Sequence, residues 1–188
     1  ETSEYLTDVQ NRIGDCYFLD RNYEKASEYY SKAAAANNWS TDYAVYQNAL
    51  SKGLIGRVNK KITLLKNFSK KFPESDYKDD AAFELAKARI KNGNESEALL
   101  IYNNLISEYP QSEYVVKTLL QLGQLNYNKK NYTEAIKNYK QVILEYSDSS
   151  ESKSALMGMK NVYIDTNDVQ AYFSFAESLG AGNAVESS

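Results

Sequence analysis

Residues 122–139, Leu122-Gly123-Gln124-Leu125-Asn126-Tyr127-Asn128-Lys129-Lys130-Asn131-Tyr132-Thr133-Glu134-Ala135-Ile136-Lys137-Asn138-Tyr139, set a glycine twelve residues before an alanine and that alanine four before a tyrosine. The same step leads from Gly14 to Ala26 and Tyr30, from Ala86 to Ala98 and Tyr102, and from Met159 to Ala171 and Phe175. The sets beginning at Ala86 and Gly123 are offset by 37 residues, and the last follows by 36. A fixed period of this length marks a stacked repeat architecture. A fifth, degenerate copy is placed by its joint, since Phe72-Pro73-Glu74-Ser75 matches Tyr109-Pro110-Gln111-Ser112 and Tyr146-Ser147-Asp148-Ser149 at steps of 37. Counting back from Pro73 puts Ala49 at the small position, Lys61 where alanine is expected and Leu65 at the aromatic.

Each repeat reads as a helical hairpin. In the fourth, Val116, Leu119, Leu120, Leu122 and Tyr127 form one apolar stripe at helical spacing, and Ala135, Ile136, Tyr139, Val142, Ile143 and Tyr146 form a second. A short polar connection between such stripes implies antiparallel neighbours. Asn22, Asn94, Asn131 and Asn167 share one register position and are expected to cap the second helices, with Glu97, Glu134 and Gln170 placed to reach back. Arg57 takes that position in the second repeat, so the start there is expected to be the loosest. The small residues let helices cross at about 8–10 Å while an aromatic fills the groove. The expected fold is an all-α superhelix over 1–180, with repeats near 5–40, 41–77, 78–114, 115–150 and 151–180, and 181–188 as a flexible tail or linker. Trp39 is expected to plug the first junction and Cys16 to pack beside Gly14.

Composition narrows the chemistry. Net charge is −3 and pI about 5.2, which gives no general attraction to nucleic acid or an anionic membrane. Zero histidines remove the commonest acid–base and metal-ligand side chain, and one cysteine excludes an internal disulfide framework. No apolar run approaches the roughly 18 residues needed to span a membrane. Asp79-Asp80 and Glu95-Ser96-Glu97 fall at turns or helix starts, where they complement the helix dipole rather than face each other across a cleft. The expectation is no enzyme, no metal and no cofactor. The opening Glu1-Thr2-Ser3 suggests a cut inside a longer protein.

Leu122-Gly123-x-x-x-Tyr127 followed by Asn131-Tyr132-x-x-Ala135-x-x-x-Tyr139 resembles the tetratricopeptide repeat, and Ile13-Gly14-x-x-Tyr17 with Asn22-Tyr23-x-x-Ala26, Tyr30 and Ala33 is similar. Repeats of 35 to 37 residues joined by Tyr-Pro-x-Ser look like the variant of bacterial cell-envelope proteins, including outer-membrane assembly lipoproteins and cell-division coordinators. The resemblance implies a right-handed superhelix whose first helices line a concave groove that binds peptides or protein segments without chemistry. Carried over, the groove positions include Tyr43, Tyr46, Leu50, Phe83, Lys87, Ile90, Lys91, Lys117, Leu120, Gln124, Tyr127, Asn128, Lys153, Leu156, Lys160 and Tyr163. The lysines would favour an acidic or C-terminal peptide.

Two readings of the aromatics stay open: they seal one hairpin against the next, or Tyr46, Phe83, Tyr127 and Tyr163 offer flat contacts to a ligand. The chaperone-binding members of the family clamp a terminal carboxylate; here Phe83 and Lys87, then Gln121, then Lys153 and Met157 depart from that pattern. Alternatives of another class are glycan or substrate capture in an envelope transport complex, and single-stranded nucleic-acid binding, against which the acidic pI argues. The resemblance places the protein in the periplasm or at the outer membrane, with the cytoplasm as the alternative. The absence of a polar capping helix before the first repeat implies self-association at that edge.

Overall fold

The structure, a computed structural model, describes residues 2–36 and 40–180, with side chains from Tyr5 onward. Trp39 and the expected tail at 181–188 lie outside the described residues. The chain forms two compact units, Glu1–Ser112 and Glu113–Ser188. In the first, α1 (Thr2–Leu19) pairs with α2 (Tyr23–Ala35) and α3 (Thr41–Leu54) with α4 (Val58–Leu65). A single turn, α5 (Phe68–Lys71), leads on to the pair α6 (Lys78–Lys91) and α7 (Glu95–Glu108). The second unit holds α8 (Val115–Asn128) against α9 (Tyr132–Glu145), and α10 (Ser150–Asp165) against α11 (Val169–Ser178). Every element among the described residues is helical, as the repeat requires.

One turn design closes all five hairpins. Arg21, Gly56, Gly93, Lys130 and Asn167 have φ of 59°, 77°, 76°, 61° and 56°. The next N–H then donates back five residues: Asn22 to the Tyr17 carbonyl, Arg57 to Lys52, Asn94 to Arg89 and Asn131 to Asn126, each at 2.8 Å, and Asp168 to Tyr163 at 2.9 Å. This is the Schellman arrangement, which satisfies carbonyls left over at a helix end. Glycine adopts the left-handed conformation without strain, whereas Arg21 and Lys130 carry a steric cost there that the recurring turn offsets.

The turn also corrects the expected caps. Asn22 accepts from the Lys25 N–H at 3.3 Å, and Asn94 accepts from the Glu97 N–H at 3.2 Å while its amide donates to Glu97 Oε2 at 2.8 Å. Asn131 heads α9 without a side-chain cap bond, and Arg57 likewise heads α4. Asn167 is not a cap: it is the left-handed residue, and Asp168 accepts from the Ala171 N–H at 3.4 Å. The last turn therefore follows Lys130 by 37 residues rather than 36. The core of α11 moves with it, since Tyr172 and Ala176 are buried while Ala171 and Phe175 are only partly so.

The twelve-residue step has a steric origin in the other full copies. Ala26, Ala98 and Ala135 are fully buried, and Tyr30, Tyr102 and Tyr139 follow them into the core. A Cβ added at Gly14 would lie 2.7 Å from Tyr30 Cε1, and one at Gly123 would lie 2.4 Å from Tyr139 Cε1. The tyrosine of the second helix thus rests on the bare backbone of the first. Replacing Ala98 or Ala135 by leucine is expected to cost about 1–3 kcal/mol through overpacking; unchanged urea midpoints in both variants would refute this register.

One further expectation changes. Cys16 is exposed rather than packed. It stands two residues after Gly14, about 200° around the helix, and so faces away from the Tyr30 contact. Tyr5, Leu6 and Val9 of α1 are 75%, 58% and 48% exposed, so that helix presents an apolar outer stripe.

Candidate functional site

The degenerate second repeat builds the most distinctive site. Lys61 replaces the expected alanine yet is still buried. Its stem passes over Gly53, where an added Cβ would meet Lys61 Cδ at 2.8 Å. Glycine at this point of α3 therefore makes the room that a short side chain provides elsewhere. The ammonium emerges against Glu84 of α6 and donates to Glu84 Oε2. The other oxygen, Oε1, accepts from Lys87 at 2.6 Å. Burial pushes the Glu84 carboxyl up, but the hydrogen bonds from Lys61 and Lys87 outweigh it and hold the group below the usual carboxylate range. Lys87 also lies 5.4 Å from the Phe83 ring centroid.

Above this pair lies a cleft of about 390 Å³. Its walls are apolar, from Phe18, Leu50, Leu54, Val58 and Ala88, and Lys91 stands with Lys87 among its lining residues. Two ammonium groups, Lys61 and Lys87, thus hold one carboxylate, and a third, Lys91, lines the same cleft. The arrangement holds no nucleophile–base pair, and it can do two things: bury an apolar side chain and attract an anion.

The sequence-derived groove residues fall into three groups. Lys87 and Lys91, with Leu50, come together at this cleft. Tyr46, Phe83 and Tyr163 are only 7%, 8% and 8% exposed, so their rings pack helices and do not offer the flat contacts considered for them. Tyr46 stacks on Tyr77 at 5.4 Å and its hydroxyl donates to Asp80 at 3.2 Å; Phe83 lies 5.8 Å from Tyr102, and Tyr163 lies 6.4 Å from Tyr172. Tyr43 and Ile90 are half-buried in the first unit, and the remaining residues belong to the second. There Lys117 sits 5.2 Å from the Tyr114 ring, Gln124 donates to Asn128 at 3.1 Å and Tyr127 donates to Asp165 at 2.8 Å. That bond to Asp165 raises the Tyr127 hydroxyl above its usual range. Lys153 and Lys160 are exposed on α10 at helical spacing with Met157 and Ile164, themselves 67% and 52% exposed.

Sequence reasoning missed Lys61 and Glu84 as partners. Lys61 was visible as a break in the alanine register, but its counter-ion lies 23 residues away on another hairpin. Among the described residues no cluster of His, Cys, Asp and Glu could hold a metal ion, and no helix is long and apolar enough to cross a membrane.

Comparison with known proteins agrees with this architecture. Residues 7–38 and 117–149 each match a tetratricopeptide repeat profile. Residues 38–119 match the profile of an outer membrane lipoprotein family, YfiO. Among solved structures, the MamA protein aligns with a TM-score of 0.76 at 17% identity, over 92% of this chain and 88% of its own. MamA 41-end from Desulfovibrio magneticus RS-1 gives 0.74 at 12% identity, over 95% and 96%. A tetratricopeptide repeat protein from Parabacteroides merdae ATCC 43184 gives 0.75 at 12% identity, over 97% of this chain and 69% of its own. Nothing among curated proteins matches the chain by sequence. The fold is therefore an α-solenoid of helical hairpins, the class that builds protein-interaction scaffolds and is in general non-catalytic. The chain carries tetratricopeptide repeats, and its middle portion resembles an outer-membrane lipoprotein family.

Proposed function

We propose that this chain is a non-enzymatic scaffold that holds peptide or protein segments against the first helices of its hairpins, in the periplasm or at the outer membrane. The observation that carries the proposal is the cleft of the first unit, where apolar walls meet the exposed Lys87 and Lys91. Concave, mostly apolar surfaces with a few placed charges are where ligands bind. The exposed face of α10, with Lys153, Met157, Lys160 and Ile164, supports the same reading in the second unit. Envelope localisation is supported by the lipoprotein-family match at 38–119.

In-cell photo-crosslinking tests this reading. A photoreactive residue at position 91 or 160 is expected to yield discrete adducts with protein, whereas one at the exposed Lys137 of α9 is not. Adducts made only with polysaccharide would instead favour glycan capture and overturn the scaffold proposal. Equal labelling at all three positions would show that the first-helix faces are not the working surface.

A further inference from the structure

We propose that the cleft between α3, α4 and α6 recognises a segment of a partner protein in which a bulky apolar residue adjoins an aspartate or glutamate. The apolar side chain enters between Leu50, Leu54, Val58 and Ala88. The neighbouring carboxylate is bound by Lys91 and Lys87, in competition with Glu84. This deepens the scaffold reading above and rests on it.

Charge and burial together select the occupant. The volume of about 390 Å³ lies at the lower end of the range for ligand pockets, which suits one or two side chains better than a cofactor. The charged groups at the cleft leave a surplus of two positive charges, although the whole chain carries −3. An acidic partner is thus drawn to this place rather than to the protein at large.

The three lysines are not equivalent. Lys61 has a side chain only 11% exposed and stays with Glu84, which is 15% exposed. Lys87, at 50%, is the partner that can turn outward. When it does, Glu84 still keeps Lys61, so no buried charge is stranded. Lys91 lies one helical turn further along α6, where both ammonium groups can reach one carboxylate. Glu84 itself repels an anion from the floor of the cleft, which directs the ligand's apolar group inward and its carboxylate to the rim. Glu84 is therefore a built-in competitor that sets affinity and orientation at once.

A displayed library of short random peptides, selected against the whole chain, provides the probe, and affinities are then measured on the enriched peptides made synthetically. Enriched sequences are expected to pair Leu, Ile, Met or Phe with an adjacent Asp or Glu. Lys91→Glu should weaken them about tenfold at an unchanged thermal midpoint, and Lys87→Glu/Lys91→Glu more. Leu54→Asp, at a half-exposed wall position, should weaken them comparably. Lys61→Met/Glu84→Gln removes the competitor without stranding a charge, and should tighten acidic peptides about threefold. Enrichment without acidic residues, or equal binding to Lys91→Glu, overturns the proposal. Peptides that bind Lys91→Glu normally but fail on Lys153→Glu/Lys160→Glu overturn it while leaving the scaffold reading intact. Recovery of no binding peptide, together with no protein cross-links, overturns both.

Discussion

Tyr139→Ala is expected to destabilise the protein by about 3–5 kcal/mol, the range for removing a large buried ring. Tyr139 is 1% exposed and lies between two glycines on different helices. A Cβ at Gly123 of α8 would fall 2.4 Å from its Cε1, and one at Gly158 of α10 would fall 2.5 Å from its Cζ. With the ring removed, neither glycine has a side chain to fill the slot, so the cavity term is near its full value. Tyr139→Phe should differ sharply. The hydroxyl is buried without a hydrogen-bond partner, and burial pushes its pKa up to about 12. Deleting an unsatisfied polar group removes a desolvation penalty, so phenylalanine should be neutral or stabilising by up to about 1 kcal/mol. Urea denaturation of the two variants checks both. A phenylalanine variant as unstable as the alanine variant would mean that the hydroxyl has an essential partner.

The second large effect belongs to the ion pair under the cleft. Glu84→Ala should cost about 2–4 kcal/mol, because it leaves the ammonium of Lys61 buried and uncompensated. Replacing both, as in Lys61→Met/Glu84→Leu, should stay within about 1 kcal/mol of the parent, since the desolvation cost disappears with the attraction. The pH dependence has a definite sign. Folding lowers the Glu84 pKa below its reference of 4.5, so its contribution is complete above that value and is lost as pH falls through the folded pKa. The parent should therefore lose urea stability more steeply below about pH 4.5 than the double variant does. Parallel pH profiles would exclude the pair as a source of acid lability.

Much of the architecture could be read from spacing. The step from Gly14 to Ala26 and Tyr30, repeated at Ala86 and Gly123, identifies residues that lie in the core, because a helix periodicity of 3.6 fixes which side chains share a face. The last hairpin was misread by one residue, since Ala171 and Phe175 imitate the motif while the turn at Asn167 sets the true register. The second repeat was legible only as a defect. Its second helix stops at Leu65, and after the break Phe68 turns inward to lie 6.5 Å from Tyr46 and 5.0 Å from Phe72. An aromatic three residues late in the pattern thus reaches the core by breaking the helix that carries it.

The candidate site was legible in part. Lys87 and Lys91 could be placed on one face of α6 from their spacing alone, and so could Lys153 and Lys160 on α10. Whether an aromatic on a first helix seals the core or meets solvent was not, because both roles share one periodicity and only the three-dimensional packing distinguishes them. Tyr46, Phe83 and Tyr163 are covered by Tyr77, Tyr102 and Tyr172 respectively, residues 9 to 31 positions away in the chain.

By itself the sequence determined the repeat, its helices and the small-to-aromatic step in three of the hairpins, for these depend on residues a few turns apart whose geometry the helix dictates. Only the tertiary structure decided that Lys61 is no defect. Gly53 admits its stem, Glu84 neutralises its charge, and the alanine missing from the pattern becomes the floor of a cleft. The energy of a buried charge depends on what a distant segment brings to it, and no periodicity records that.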